Sequence, residues 1–171
     1  MRRATLQGSL VILAGLLFTA CAGSPPMGAP MSPTSSVLPA DARALRYGAS
    51  APEVFNNHEL GDRVRALFGA DWSPGGQVAF GAPAYFPASS SLRMVRLGDG
   101  DYIAITGCVL SSCATHRGLV LIRQDGEHLM ARLDEGGFSH YYERGPGASA
   151  NAVPRSSIDS AWRAVEGIDR G

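Results

Sequence analysis

The chain contains no lysine: all 15 of its basic side chains are arginine. Covalent chemistry that needs a lysine amine, such as a Schiff base, is therefore excluded. It also lacks a net charge, because 15 acidic residues balance the 15 arginines. Without a basic excess there is no broad positive surface to hold a nucleic-acid backbone. No apolar run comfortably reaches the ~20 residues that a membrane-spanning helix needs. The only histidines are His58, His116, His128 and His140, and no two stand at the i, i+4 spacing that puts a pair of metal ligands on one helical face. Ser111 and Ser112 lack the Gly-x-Ser-x-Gly surroundings of a nucleophile elbow. Asp134 and Glu135 run directly into Gly136-Gly137, which reads as a turn rather than as an acid and a base facing each other across a cleft. No constellation for catalysis is present, so the expectation is a protein that is not an enzyme, with no catalytic residues, no metal and no cofactor.

What is present begins with an export pattern. Arg2 and Arg3 precede the apolar run Leu10-Val-Ile-Leu-Ala-Gly-Leu-Leu-Phe, which stops at the small residues Thr19-Ala20 and then Cys21. The stretch Leu17-Phe18-Thr19-Ala20-Cys21 resembles the bacterial lipobox, with Phe18 where leucine is usual. That resemblance implies lipidation of Cys21 as the first mature residue; an ordinary signal peptide with an incidental cysteine is the alternative. Ala22 in the second mature position resembles lipoproteins sent to the outer membrane, so the expected location is the bacterial cell envelope, lipid-anchored and facing the periplasm. Without Arg2 and Arg3 the mature chain carries 13 basic and 15 acidic groups, a net charge of −2. The next stretch is rich in Pro, Ser and Gly and poor in large apolar residues, the composition of a disordered tether. The expected organisation is thus a signal peptide over 1–20, a tether over 21–40 and a single domain over 41–171, with no internal repeat.

Within the domain, Asp41 to Tyr47 suits either a short helix or an edge segment. Pro52 stands in a first helical turn; Leu60, Val64, Leu67 and Phe68 follow at helical spacing, and Gly69 closes the element. Gly61 weakens its middle and favours two shorter pieces. From Leu92 to Glu143, short β-branched and aromatic runs alternate with Gly and Asp turns, the pattern of an antiparallel meander of about five strands. Asp125-Gly126 is read as a two-residue type I′ turn. It sets Ile122 opposite Leu129 and Val120 opposite Ala131 on a core side. Ser156 and Asp159 read as a capping box, Ile158, Trp162 and Val165 as the buried stripe of a terminal helix, and Gly167 as its end. Of the adjacent Tyr141 and Tyr142, strand alternation points one into the core. The expected fold class is α+β, an antiparallel sheet of about five strands with helices before and after packing on it. One sheet face would be covered and the other open to solvent or a partner.

The remaining signal is Cys108-Val-Leu-Ser-Ser-Cys113, between the apolar runs Tyr102-Ile-Ala-Ile and Leu119-Val-Leu-Ile. In an exported chain two cysteines this close are expected to form a disulfide, which with Cys21 lipidated accounts for all three cysteines. A zinc site built on Cys108, Cys113 and His116 lacks an evident fourth ligand. The ring would hold Val109, Leu110, Ser111 and Ser112 in one conformation, so that a partner need not bear the ordering cost; a stapled strand connection without a partner is the plainer alternative.

These residues resemble the inhibitors of vertebrate lysozyme, a family of small periplasmic bacterial proteins. Family members carry a helix, a Trp, a turn and strand, a Gly-Asp-x-x-Tyr segment, a Cys-x4-Cys loop, an Arg and an apolar strand. Here Phe55 to Phe68, Trp72, Gly98-Asp-Gly-Asp-Tyr102, Cys108 to Cys113, Arg117 and Leu119 to Ile122 follow that order, and the resemblance spans most of Val54 to Tyr142. It implies a protruding loop that enters the active cleft of a lysozyme, and the expectation extends to another muramidase or a lytic transglycosylase; His116 and Arg117, just beyond the ring, are candidate supports, although the motif does not carry the family's His role to His116. The family ring reads Lys-Pro-His-Asp, and its His meets the catalytic carboxylates. This ring reads Val-Leu-Ser-Ser, so Ser111 stands at the His position and offers one neutral hydrogen bond. The same scaffold without an inhibitory plug, a binding module for another envelope protein or cell-wall glycan, is the alternative. The membrane is met through the N-terminal lipid only, no nucleic acid is expected, and a homodimer is left open.

Overall fold

In β3 (Gly100–Cys108) and β4 (His116–Arg123), Tyr102-Ile-Ala-Ile and Leu119-Val-Leu-Ile are buried at every position. Successive strand side chains point to opposite faces, so an unbroken apolar run requires cover on both. The computed structural model describes residues 34–39, 41–146, 148 and 155–169, apart from the side chains of 168 and 169. These two strands lie at its centre. With β1 (Ser35–Val37), β2 (Ser91–Leu97), β5 (Leu129–Glu135) and β6 (Phe138–Arg144) they form one antiparallel six-stranded sheet in the order β1-β2-β3-β4-β5-β6. The α+β class and the meander are therefore as expected, with one strand more. The extra strand lies inside the stretch assigned to the tether. Ser36 and Val37 pair with Arg96 and Val95 of β2, so the fold begins at least as far upstream as Ser35. The signal peptide and Cys21 lie outside the described residues.

The expectation of an open sheet face is incorrect. One face meets α1 (Ala51–Phe55), α2 (Gly61–Phe68) and the segments around them. There Val54, Phe55, Leu60, Val64 and Phe68 join Ile103, Ile105, Val120, Ile122 and Leu129 in one cluster. The opposite face meets α3 (Arg155–Asp169), whose Ile158, Ala161, Trp162 and Val165 cover Val95, Ala104, Leu119, Leu121 and Met130. Helices before and after the meander thus take opposite faces, as the apolar runs of β3 and β4 demand. Ser50 caps α1 through its side chain and Pro52 stands in its first turn. Asn57, Leu60 and Gly61 redirect the chain into α2, which Gly69 ends with a left-handed φ of 56°. Two pieces replace one helix, as Gly61 suggested.

Asp159 does not close a capping box, because α3 already includes Arg155 and Ser156, and it passes Gly167 to reach Asp169. The carboxylate faces the sheet instead. It accepts hydrogen bonds from Arg132 Nη1 at 2.9 Å and from the Tyr141 hydroxyl at 2.8 Å. The Arg132 guanidinium lies 4.5 Å from the Trp162 ring centroid and is also paired with Asp134. Ser160 Oγ and Ser35 Oγ, 2.7 Å apart, tie the same helix to the first strand. On the other face the Tyr142 hydroxyl donates to Asp71 at 2.9 Å, so each of the two adjacent tyrosines serves one layer. The β4–β5 register is the expected one, Ile122 opposite Leu129 and Val120 opposite Ala131. Its turn is not type I′ about Asp125-Gly126: the closing bond runs from Gly126 N to Arg123 O at 2.7 Å, making Gln124 and Asp125 the central pair.

At the opposite end of the sheet from Cys108, Asp101 accepts from Arg96 at 2.8 Å and from Arg43 at 2.8 Å, joining the 3-10 turn Ala42–Leu45 to β2 and β3. These two guanidinium groups hold the Asp101 carboxyl below its ordinary range. A folded-state pKa below the unfolded value stabilises the fold above about pH 4, and the contribution is lost as pH falls through the depressed folded value. Urea unfolding from pH 5 down to pH 2 should therefore show a shallower acid decline in Asp101→Asn than in the parent chain. Trp162→Ala removes the main anchor of α3 and should cost about 3–5 kcal/mol in the same unfolding measurement at neutral pH.

Candidate functional site

The stapled segment connects β3 to β4, and its geometry starts from two glycines. Gly107 and Gly118 are directly paired and face the α1–α2 side. A Cβ on Gly107 would lie 2.5 Å from the Tyr85 carbonyl oxygen, and one on Gly118 would lie 2.5 Å from Phe86 Cζ. Their bare backbone lets Tyr85 and Phe86 seat directly on the sheet at the root of the loop. Cys108 pairs with Arg117 in the next register position, and Val109 N donates to His116 O at 3.0 Å. Ser112 N donates to Val109 O at 2.7 Å, while Thr115 N and His116 N both donate to Ser112 O. The Cys108–Cys113 disulfide closes this turn with the Cα atoms 4.9 Å apart.

The four ring residues do not form a uniform protruding plug. Val109 is 7% exposed and belongs to the α1–α2 core cluster, and Ser112 is half-buried. Only Leu110, 75% exposed, and Ser111 stand out into solvent. Backbone hydrogen bonds at Val109 and Ser112 flank the tip, which carries a single large apolar side chain.

His116 and Arg117 do not act together, because adjacent strand residues face opposite sides. Arg117 lies on the α3 side, paired with Glu166 at 2.5 Å and 5.2 Å from the Trp162 ring centroid. Between α3 and the loop root is a pocket of about 290 Å³, lined in part by Ser91, Thr106, the disulfide, Arg117, Trp162 and Glu166. It is at the small end of the volumes that hold organic ligands. His116 lies on the other side, edge-on to the Phe80 ring at 5.2 Å, with Thr115 Oγ1 2.8 Å from its Nδ1.

Sequence reasoning passed over the neighbours of His116. Cross-strand register puts His116 opposite Glu135 and Glu135 opposite Phe138. Glu135 lies 3.7 Å from His116 Nε2 and 3.9 Å from His140 Nε2, and it accepts a hydrogen bond from Ala79 N at 3.0 Å. Gly136 N donates to Thr115 O at 3.1 Å, which fastens the β5–β6 turn to the stapled loop. Behind this row Tyr85 is fully buried, and burial pushes its hydroxyl up to about 12. The one signal that could have located Glu135 here was the β4–β5 register, which continues from Ile122–Leu129 to His116–Glu135. With Cys108 and Cys113 bonded to each other, neither is open to a metal, and among the described residues no three His, Cys, Asp or Glu side chains are grouped to hold one.

Compared with protein-family models, curated proteins and solved structures, the chain matches none.

A ring this small removes modest entropy from the unfolded chain. Replacing both Cys108 and Cys113 by Ser should lower the unfolding free energy by about 2 kcal/mol, measured by urea denaturation against the oxidised parent.

Proposed function

We propose that this protein is a lipid-anchored bacterial envelope protein of lysozyme-inhibitor type, whose stapled loop enters the cleft of a lysozyme, another muramidase or a lytic transglycosylase. The supporting observation is Leu110, 75% exposed at the tip of a turn held by the disulfide and by backbone hydrogen bonds on both flanks. A projecting side chain on a pre-ordered turn enters a cleft without the entropy loss of freezing a free loop. Leu110 fills the apolar part of the cleft, and Ser111 offers one hydrogen bond to a polar group at its floor. The protein performs no reaction itself; it blocks one. Its anchor is Cys21, and the outer membrane facing the periplasm is the proposed location.

A second reading is favoured by the ring composition: with no charged or imidazole group between Cys108 and Cys113, the scaffold serves as a non-inhibitory module that binds another envelope protein or cell-wall glycan.

The test is inhibition of a panel of lysozymes and lytic transglycosylases acting on purified peptidoglycan. The parent chain should slow at least one of them, and Leu110→Arg should weaken that effect by roughly 10-fold to 100-fold, the equivalent of losing one buried leucine. Absence of inhibition across the panel would remove this reading and leave the binding module.

A further inference from the structure

The exposed part of the stapled connection, Leu110, Ser111 and Cys113 to Thr115, is too small for a stable complex. Specific interfaces engage about 20–30 residues a side and bury roughly 800 Å² on each partner. Whatever receives Leu110 must also rest on what surrounds it.

Among the described residues four large apolar side chains are exposed: Leu45, Phe80, Leu110 and Phe138. Three of them share the loop end of the sheet. Phe138, 76% exposed, lies two strands along the same register row as His116, and Phe80, 41% exposed, packs against the His116 ring. The segments carrying them are fastened to one another by Gly136 N to Thr115 O and by Ala79 N to Glu135. Leu45 belongs instead to the 3-10 turn beside β2.

The polar groups among the aromatic residues are already engaged. The side chains of His116, Glu135 and His140 are only 17%, 18% and 21% exposed, and Glu135 serves both imidazoles and Ala79 N. A saccharide would need free donors and acceptors between its stacking rings, and few are offered here. An apolar surface whose intervening polar side chains are mostly buried suits the core of a protein interface, where aromatic residues are enriched and charge is depleted.

We infer that Phe80 and Phe138 extend the Leu110 tip into one continuous contact surface, and that its occupant is a folded protein with an apolar-walled cleft that takes Leu110 and an apolar rim that meets the two phenylalanines. This rests on the inhibitory reading above and specifies what the target cleft must look like: the loop enters it while the two phenylalanines seal its rim.

The experiment uses the full chain, with Phe138→Ser, Phe80→Ser, the double variant, and Leu45→Ser as an exposed apolar control, against an animal-type lysozyme and a lytic transglycosylase. Thermal unfolding of each variant is measured in parallel, and Phe138→Ser, the most exposed site, is the one least able to disturb the fold. The expected result is a ~10-fold weaker inhibition for Phe138→Ser and a larger loss for the double variant, with Leu45→Ser unchanged. If both phenylalanine variants inhibit like the parent while Leu110→Arg does not, the loop acts alone; the inference is overturned and the inhibitory reading stands. If the parent inhibits neither enzyme, both fall. Cosedimentation with purified peptidoglycan that the phenylalanine substitutions abolish, without inhibition by the parent, would overturn the inference in favour of a glycan ligand.

Discussion

The burial of the central strands on both faces is the constraint from which the rest of the molecule follows. Tyr102 to Ile105 and Leu119 to Ile122 present apolar side chains up and down in turn, and neither set can be left in water. Two separate covers are therefore needed, and the chain supplies them from its two ends, α1 and α2 before the meander and α3 after it. With both faces sealed over the central strands, a partner is left with the edges and the ends of the sheet. Of its two ends, only the one carrying Cys108 and Cys113 displays a cluster of large apolar side chains among the described residues.

The α3 layer also shows how arginine serves in place of lysine. Arg132 contacts the Trp162 ring, the carboxylates of Asp134 and Asp159 and the ring of Tyr141 at once. A planar guanidinium can stack and donate in several directions together, which a compact ammonium cannot. Arg117 repeats the arrangement with Trp162 and Glu166 beside the loop root. The helix is thus held at both ends of its apolar stripe by partly buried ion pairs, and its position over β4 bears on the strand from which the stapled loop emerges.

Much of this was legible in the residues. The five strands of the meander, the break at Gly61 and the disulfide all follow from short-range chemistry, in which a turn residue, a period or a spacing speaks for itself; the β4–β5 register came out as expected although the turn that closes it is of another type. What was not legible depended on contacts far apart in sequence. Strand β1 is three residues long and lies in a Pro- and Ser-rich stretch, so only its pairing with β2 reveals it. Asp159 fits a capping box locally, yet Arg132 and Tyr141, more than a dozen residues away, claim its carboxylate. The same holds at the candidate site. The ring was visible, but nothing in Val109 to Ser112 alone says that Val109 turns inward, because that depends on the cluster it joins, which includes Tyr85 and Phe86 from a distant segment. The continuous apolar runs did contain the information that both faces are buried; helices counted as a single layer concealed it.

The inward turn of Val109 also bears on the kind of encounter the loop end supports. The exposed groups there, Leu110, Ser111, Cys113 to Thr115, Gly136 to Ser139, Ala79 and Phe80, include none that is charged, and the partly buried Glu135 has an imidazole on either side. Long-range steering needs an uncompensated field, which raises association rates and makes them fall with added salt. This end of the molecule has little such field to offer. For the proposed partner, attraction at this surface would be short-range, through apolar burial and shape, and discrimination would rest on how well a cleft and its rim fit Leu110, Phe80 and Phe138. A rigid tip suits that task, since a flexible one would adapt to many clefts and distinguish few. The disulfide contributes only about 2 kcal/mol to stability; in the proposed role it also closes the turn that carries Leu110.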